Sequence, residues 1–289
     1  MTLDSASTND DIISLHNDYF DKNFPTKDFP QDDFEILSTI RYDPNLTESP
    51  PIEYEDITNL NFFLLKEHVD RLNFTLQFFN HLLGKKMTFE ITEDFFLSQL
   101  VLSLKKSEKL MFIPYKIRVL VKLDGSVKIE IYETPNTTNL LFGLFPQVSE
   151  FDLYFDQLDS ENDWDIYKNK ELSLISPFTS FKTTKRDVYN QARLILPGNK
   201  PGKEEVLLFN SQSQLMEGSI TNVAIKRSYD GKWVTPLLSS GCLCGVTRHF
   251  LLRKNYIEED TITLDQINLG TELLLFNGII GVVKGKVVG

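Results

Sequence analysis

The spacing of apolar residues changes period several times along the chain, and each change predicts a different element. From Phe62 the apolar positions fall at Phe62, Leu65, Val69, Leu72, Leu76 and Phe79, the period of one helix face. A second helix is predicted over 93–104. A strand is predicted ahead of both, over 34–42, followed by a polar loop from Asn45 to Pro51 in which Pro50 and Pro51 lack amide donors. Alternation then predicts strands over 115–122 and 126–132. Leu123-Asp124-Gly125 joins them as a hairpin, with Asp-Gly expected to take positive φ angles.

Past this hairpin the pattern is different. Strands are predicted at 206–209, 218–226 and 233–237, with a hairpin at Tyr229-Asp230-Gly231 and a helix from Thr247 to Lys254. Two closing strands are predicted at 272–277 and 282–288. The division that follows is an acidic, loosely ordered segment over 1–33, an α+β domain over 34–134, a linker over 135–140 and a larger domain over 141–289. Strands and helices mixed in this way, with many turn signals, predict an α/β or α+β class.

Composition narrows the function more than the fold. A formal net charge of −11 argues against a nucleic-acid partner, because such binding rests on Lys and Arg neutralising phosphates. The longest apolar runs, such as Leu273 to Phe276, are far too short to span a bilayer, and the first eleven residues carry no apolar signal core. A cytoplasmic protein acting on a small molecule is the expectation. Cys242 and Cys244 match no zinc spacing, and in an extended segment they lie at the far edge of what a disulfide bridges. Two reduced thiols and no metal are expected.

Four islands could carry chemistry. Lys182 follows Pro177-Phe-Thr-Ser-Phe181, where a partly desolvated amine would be a Schiff-base nucleophile; a solvated lysine at a helix start fits the same residues. Glu217, in Met216-Glu-Gly-Ser-Ile-Thr-Asn-Val-Ala224, could pair with a protonated ring nitrogen, or the stretch could be a plain turn into an edge strand. Gly241-Cys-Leu-Cys-Gly-Val-Thr247 runs into a predicted helix, where free amides and the helix dipole suit a phosphate, although many such turns merely start helices. Arg71, in His68-Val-Asp-Arg-Leu72, lies beside the apolar stripe and either reaches inward to a phosphate or pairs on the surface with Asp70 or Glu67.

In this order, the four islands resemble the class IV pyridoxal-phosphate enzymes over roughly Phe34 to the C-terminus. The resemblance is closest to the fungal aminodeoxychorismate lyase branch, in Thr179-Ser-Phe-Lys-Thr-Thr184, Met216 to Ala224, Gly241-Cys-Leu-Cys-Gly245, Leu273-Leu-Leu-Phe-Asn-Gly278 and Ile40-Arg-Tyr-Asp-Pro44. It implies fold type IV, with a smaller N-terminal α+β domain and a larger barrel-like α/β domain. It also implies pyridoxal 5'-phosphate as cofactor, a homodimer, and conversion of 4-amino-4-deoxychorismate to p-aminobenzoate and pyruvate in folate biosynthesis. Aminotransferase activity on branched-chain or D-amino acids is the alternative, and a non-catalytic binding protein the second. By the resemblance Lys182 is the Schiff-base lysine and Glu217 the partner of the pyridine nitrogen. Arg71, Val246, Thr247, Asn277 and Gly278 are then cofactor contacts, and Thr39, Tyr42 and Arg186 face the substrate. Branched-chain aminotransferases carry a tyrosine five residues after the lysine. This chain has Asp187 there, preceded by Arg186, as the lyase branch does.

Overall fold

The computed structural model describes residues 34–136 and 163–289. The acidic segment 1–33 and residues 137–140 of the expected linker lie outside the described residues. The described chain forms two compact units, one of 34–136 with Ser176–Lys185 and one of 163–175 with Arg186–Gly289. The segment carrying Lys182 therefore groups with the first unit, although it follows the expected linker in sequence.

In the first unit β1 (Ile36–Tyr42), β2 (Tyr115–Val121) and β3 (Val127–Glu133) form an antiparallel sheet in the order β1-β2-β3. The β2–β3 turn departs from expectation: of Asp124 and Gly125 only Gly125 has positive φ, at +88°. Asp124 instead accepts from the Ser126 amide at 2.9 Å, so one left-handed residue suffices to reverse the chain. Helix α1 (Leu65–Leu82) buries the predicted stripe of Leu65, Val69, Leu72, Leu76 and Phe79. Its period is interrupted before Leu65 because Leu64 sits at φ 55°. Helix α2 (Glu93–Lys106) begins at Thr92, whose hydroxyl accepts from the Phe95 amide at 3.2 Å. A short helix α3 (Pro177–Ser180) precedes Lys182.

The second unit is an eight-stranded mixed sheet of β4 (Trp164–Lys168), β5 (Glu204–Phe209), β6 (Leu215–Gly218), β7 (Asn222–Lys226), β8 (Trp233–Pro236), β9 (Glu258–Asp260), β10 (Glu272–Asn277) and β11 (Gly281–Val287). The order is β6-β5-β4-β11-β10-β7-β8-β9. Its two ends are tied: the Leu215 amide donates to the Ile262 carbonyl at 2.7 Å and the Leu264 amide to Ser213 at 2.9 Å, just past β9. This closure curls the sheet in the barrel-like manner expected. The strand predicted over 218–226 begins only at Asn222, as β7; Gly218 ends the separate strand β6, and a tight turn at 219–221 lies between them. Helices α4 (Asp187–Ala192) and α5 (Val246–Arg253) complete the unit. Cys242 and Cys244 are thiols, not joined in a disulfide, and burial pushes the Cys242 thiol up to about 12.

Candidate active site

Lys182 is held by its neighbours on both sides. Phe181 stacks on Phe78 of α1 with ring centroids 4.1 Å apart and meets Phe79 edge-on at 5.6 Å. Burying a ring in this way fixes the backbone that leads into the lysine. The Lys182 carbonyl then accepts from the Leu37 amide at 2.9 Å, and the Thr184 amide donates to the Glu35 carbonyl at 2.9 Å. The lysine thus sits on a strand-like edge paired to the start of β1. Consecutive side chains of an extended chain point to opposite sides. Phe181 is buried in the core while Lys182 is half-buried.

The same unit surrounds the lysine with a polar cluster from α1 and β1. Arg71 donates to the Ser38 hydroxyl at 3.3 Å, and Ser38 lies 2.7 Å from His68 Nδ1. Burial, and then the positive charges of Arg71 and Lys182, hold the His68 imidazole well below its usual range, so it is neutral. With Arg71 donating to Ser38, the Ser38 hydrogen is available to Nδ1 and the ring proton sits on Nε2, which has no partner among the described residues. Arg71 thus reaches Ser38 on β1, while its helix neighbour Asp70 pairs with Lys66 at 2.9 Å. Ser38 and His68 had no signal in the sequence beyond their places in strand and helix.

The two first-strand residues separate. Tyr42 is a core residue, fully buried, with its hydroxyl donating to the Met111 carbonyl at 2.7 Å. Burial raises its phenol well above the usual range. Thr39 points to the opposite face, partly exposed, opposite Arg118 in register. The Arg118 guanidinium is paired with Glu130 at 2.7 Å.

In the second unit the turn between β6 and β7 is built around a buried acid. Glu205 on β5 accepts from the Ser219 amide at 2.9 Å, the Ser219 hydroxyl at 2.5 Å, the Ile220 amide at 3.2 Å and the Thr221 hydroxyl at 2.7 Å. A Cβ on Gly218 would lie 2.7 Å from this carboxylate, so glycine is required for so close an approach. The turn in turn places Glu217, itself buried. Its Oε1 accepts from the Tyr189 hydroxyl at 2.6 Å and its Oε2 from the Asn222 amide at 3.0 Å. Arg186 lies over the Tyr189 ring at 4.8 Å and donates to the Ser219 carbonyl at 2.7 Å.

The glycine turn feeds α5 as predicted. Gly245 precedes the helix, no side chain caps its first turn, and Thr247 Oγ1 is buried with no partner among the described residues. Unopposed amides, the positive end of the helix dipole and an orphan hydroxyl together make an anion seat. Asn222 joins this seat to Glu217: its amide also donates to the Leu243 carbonyl at 2.9 Å, and Gly245 packs directly against its Oδ1. Gly245 has an ordinary negative φ, so its need for glycine is steric. Gly245→Ala is expected to push Asn222 off Glu217, weakening binding of a phosphorylated cofactor at least about tenfold and costing about 1–3 kcal/mol of stability. Cofactor titration and thermal unfolding check both. Asn277, by contrast, is occupied in its own turn. Its Oδ1 accepts from the Ile279 and Ile280 amides at 2.8 and 3.0 Å, and its amide donates to the Ile220 carbonyl at 3.0 Å. Its side chain and Gly278 shape the β10–β11 connection beside the 219–221 turn.

Each unit taken by itself offers groups suited to a phosphorylated heteroaromatic aldehyde: the first an amine that could meet a carbonyl and a guanidinium that could meet a phosphate, the second an open helix start and a clamped acid that could meet a phosphate and a protonated ring nitrogen. Among the described residues no group of His, Cys, Asp and Glu could hold a metal, and no helix is long and apolar enough to cross a membrane.

A model of the amino-transferase class IV family matches residues 53–288. Aminodeoxychorismate lyase of Saccharomyces cerevisiae is 36% identical, over 78% of this chain and 67% of that protein. Among solved structures, a candidate amino-acid aminotransferase from Mesorhizobium loti superposes with a TM-score of 0.63 at 21% identity, covering 89% of this chain and all of that one. A T.th. branched-chain amino acid aminotransferase, complexed with N-(5'-phosphopyridoxyl)-L-glutamate, superposes with a TM-score of 0.58 at 16% identity, covering 87% and 75%. At these identities the two structures speak to the fold.

Proposed function

Since the chain belongs to the class IV aminotransferase family, we propose that it is a pyridoxal-phosphate lyase that converts 4-amino-4-deoxychorismate to p-aminobenzoate and pyruvate. The observation that carries the cofactor chemistry is the buried carboxylate of Glu217, held on both oxygens by uncharged donors beside an open helix start. The branch within the family rests on the 36% identity to the S. cerevisiae lyase. Arg186 followed by Asp187, in place of a tyrosine five residues after the lysine, agrees with it.

When bound, pyridoxal phosphate supplies an aldehyde that condenses with amines and a pyridinium ring that takes up an electron pair. Arg71 and the amides and hydroxyl of Val246 and Thr247 would hold the phosphate. Glu217 would keep the proton on the ring nitrogen. The Lys182 amine would serve as the base that takes the proton from the amine-bearing ring carbon of the substrate. The enolpyruvyl C–O bond then breaks and the ring becomes aromatic, so the residues need chiefly to orient the bond that is lost. Thr39 and Arg186 are the substrate-facing candidates. The reading carries with it a homodimer in the cytoplasm.

Purified protein supplied with chorismate, glutamine and an amide-transferring synthase is expected to release p-aminobenzoate and pyruvate in equal amounts. Rapid transamination of leucine or D-alanine with 2-oxoglutarate, with no aromatic product, overturns the lyase reading in favour of an aminotransferase.

A further inference from the structure

We propose that Tyr189 and Asn222 are positioning residues that set the orientation and charge of Glu217, so that it meets a protonated ring nitrogen as a fixed anion. The inference rests on the cofactor reading above and deepens it.

The geometry is a two-sided clamp. Tyr189, on α4, donates to Oε1 at 2.6 Å, while Asn222, on β7, donates to Oε2 at 3.0 Å. Donors from two different elements fix the plane of the carboxylate, which a single donor would leave to rotate. Both donors are uncharged. A buried carboxylate needs hydrogen bonds to remain ionised, yet a lysine or arginine in these places would cancel the charge that a ring cation must find. A phenol and an amide solvate the anion without adding a charge of their own.

Each jaw is itself held. The Asn222 amide also donates to Leu243 at 2.9 Å and its carbonyl is packed by Gly245, which couples the clamp to the phosphate seat. The Tyr189 ring is covered by Arg186, whose guanidinium is tied to the Ser219 carbonyl. Burial, and then the charge of Glu217, raise the Tyr189 phenol well above its ordinary range, so the donor hydrogen stays on it throughout the working pH. Tyr189 lies seven residues after Lys182 in sequence.

A double-mutant cycle tests this. Tyr189→Phe keeps the ring under Arg186 and removes one donor. Its kcat is expected to fall about ten- to thirtyfold with KM changed less than about threefold, the usual scale for a hydrogen bond to a charged group. The affinity of apoprotein for pyridoxal phosphate should fall with it. Placed on Glu217→Gln, the same change should cost less than about twofold, because the charge it serves is gone. Equal losses with and without Glu217 make Tyr189 a structural residue and overturn the inference, as does unchanged kcat and affinity in Y189F. Should Y189F not fold, Asn222→Asp reads the other jaw. An acid in that place faces both Glu217 and the Leu243 carbonyl, and cofactor affinity at pH 8 should fall at least about tenfold from like-charge repulsion. Affinity equal to that of the unsubstituted protein overturns the inference. Borohydride trapping of the cofactor on Lys182 in the unsubstituted protein reports separately on the reading beneath. Its failure sinks that reading, whereas trapping with a neutral Y189F sinks the clamp alone.

Discussion

Lys182→Ala is expected to abolish turnover, by about 10⁴-fold or more, while leaving a folded protein that still binds pyridoxal phosphate without a covalent bond. The lysine has two tasks, carrying the cofactor and moving the proton, and loss of a positioned base alone is worth up to about 10⁴-fold. The fold should survive because aromatic packing and backbone pairing fix this segment. Phe181 is anchored in the aromatic cluster of α1, and the pairing with β1 runs through backbone atoms of Leu37, Lys182 and Thr184. Removal of a half-buried side chain there should leave the unfolding free energy within about 1 kcal/mol. Cofactor binding should persist because Glu217, Arg71 and the start of α5 are untouched. Added ethylamine should restore a small part of the rate by supplying a free amine to the vacated position. Activity above a tenth of normal in K182A, or borohydride fixing the cofactor elsewhere, would falsify the assignment.

The parts of this protein that were legible in sequence are those whose chemistry is local. The stripe of α1, the alternation of β2 and β3 and the glycine turn into α5 each follow from period and turn residues over a dozen positions. Lys182, Glu217, Arg71 and Thr247 stood out because motifs surround them. The partners that make them work are far away in sequence and carry no motif. Tyr189 reads as a tyrosine on a short polar helix, and only the folding of α4 against β6 places its hydroxyl on Glu217. Glu205 reads as part of the charged run Lys203-Glu-Glu205, whose solvent exposure its composition suggests. It is instead fully buried, with its charge absorbed by the donors of the 219–221 turn. That same turn delays the start of the strand predicted over 218–226 to Asn222, since the backbone at 219–220 donates to a carboxylate. Tyr42 errs in the other direction: a motif residue on the first strand whose alternation points it into the core.

The buried acids divide the labour. Glu205 serves structure, with its oxygens taken by donors of the turn it pins and Arg193 at 3.5 Å. Glu217, one residue before the strand end that this turn fixes, is oriented by uncharged side chains from two other elements. Two carboxylates buried within one strand pair thus meet different surroundings: one organises a backbone turn, and the other is aimed. Asn222 then links Glu217 to the turn before α5, which under the proposed function would fix the distance between the phosphate and the ring nitrogen of the cofactor.

Glu217→Gln is accordingly the second large effect, an expected loss of about 10²–10³-fold in kcat with a smaller loss of cofactor affinity. Glutamine has the same shape, so the difference is charge and one lone pair. With its oxygen toward Tyr189, the new amide meets the Asn222 amide donor to donor. Turned over, it satisfies Asn222 but leaves the Tyr189 hydrogen without an acceptor. Either orientation loses one hydrogen bond, which should lower stability by about 1 kcal/mol. Neither offers an anion, so the ring nitrogen loses the group that keeps its proton, and charge developing on the ring is no longer drawn off. In the function proposed above, the phosphate is held by Arg71 and α5 and not by that charge, which is why affinity should suffer less than rate. Glu217→Asp separates the two causes: it keeps the charge but withdraws it by one methylene from both jaws, and should recover part of the rate lost in E217Q. Steady-state kinetics and cofactor titration of the three proteins read this directly. A kcat in E217Q within about threefold of normal would mean that the ring nitrogen is served by another group.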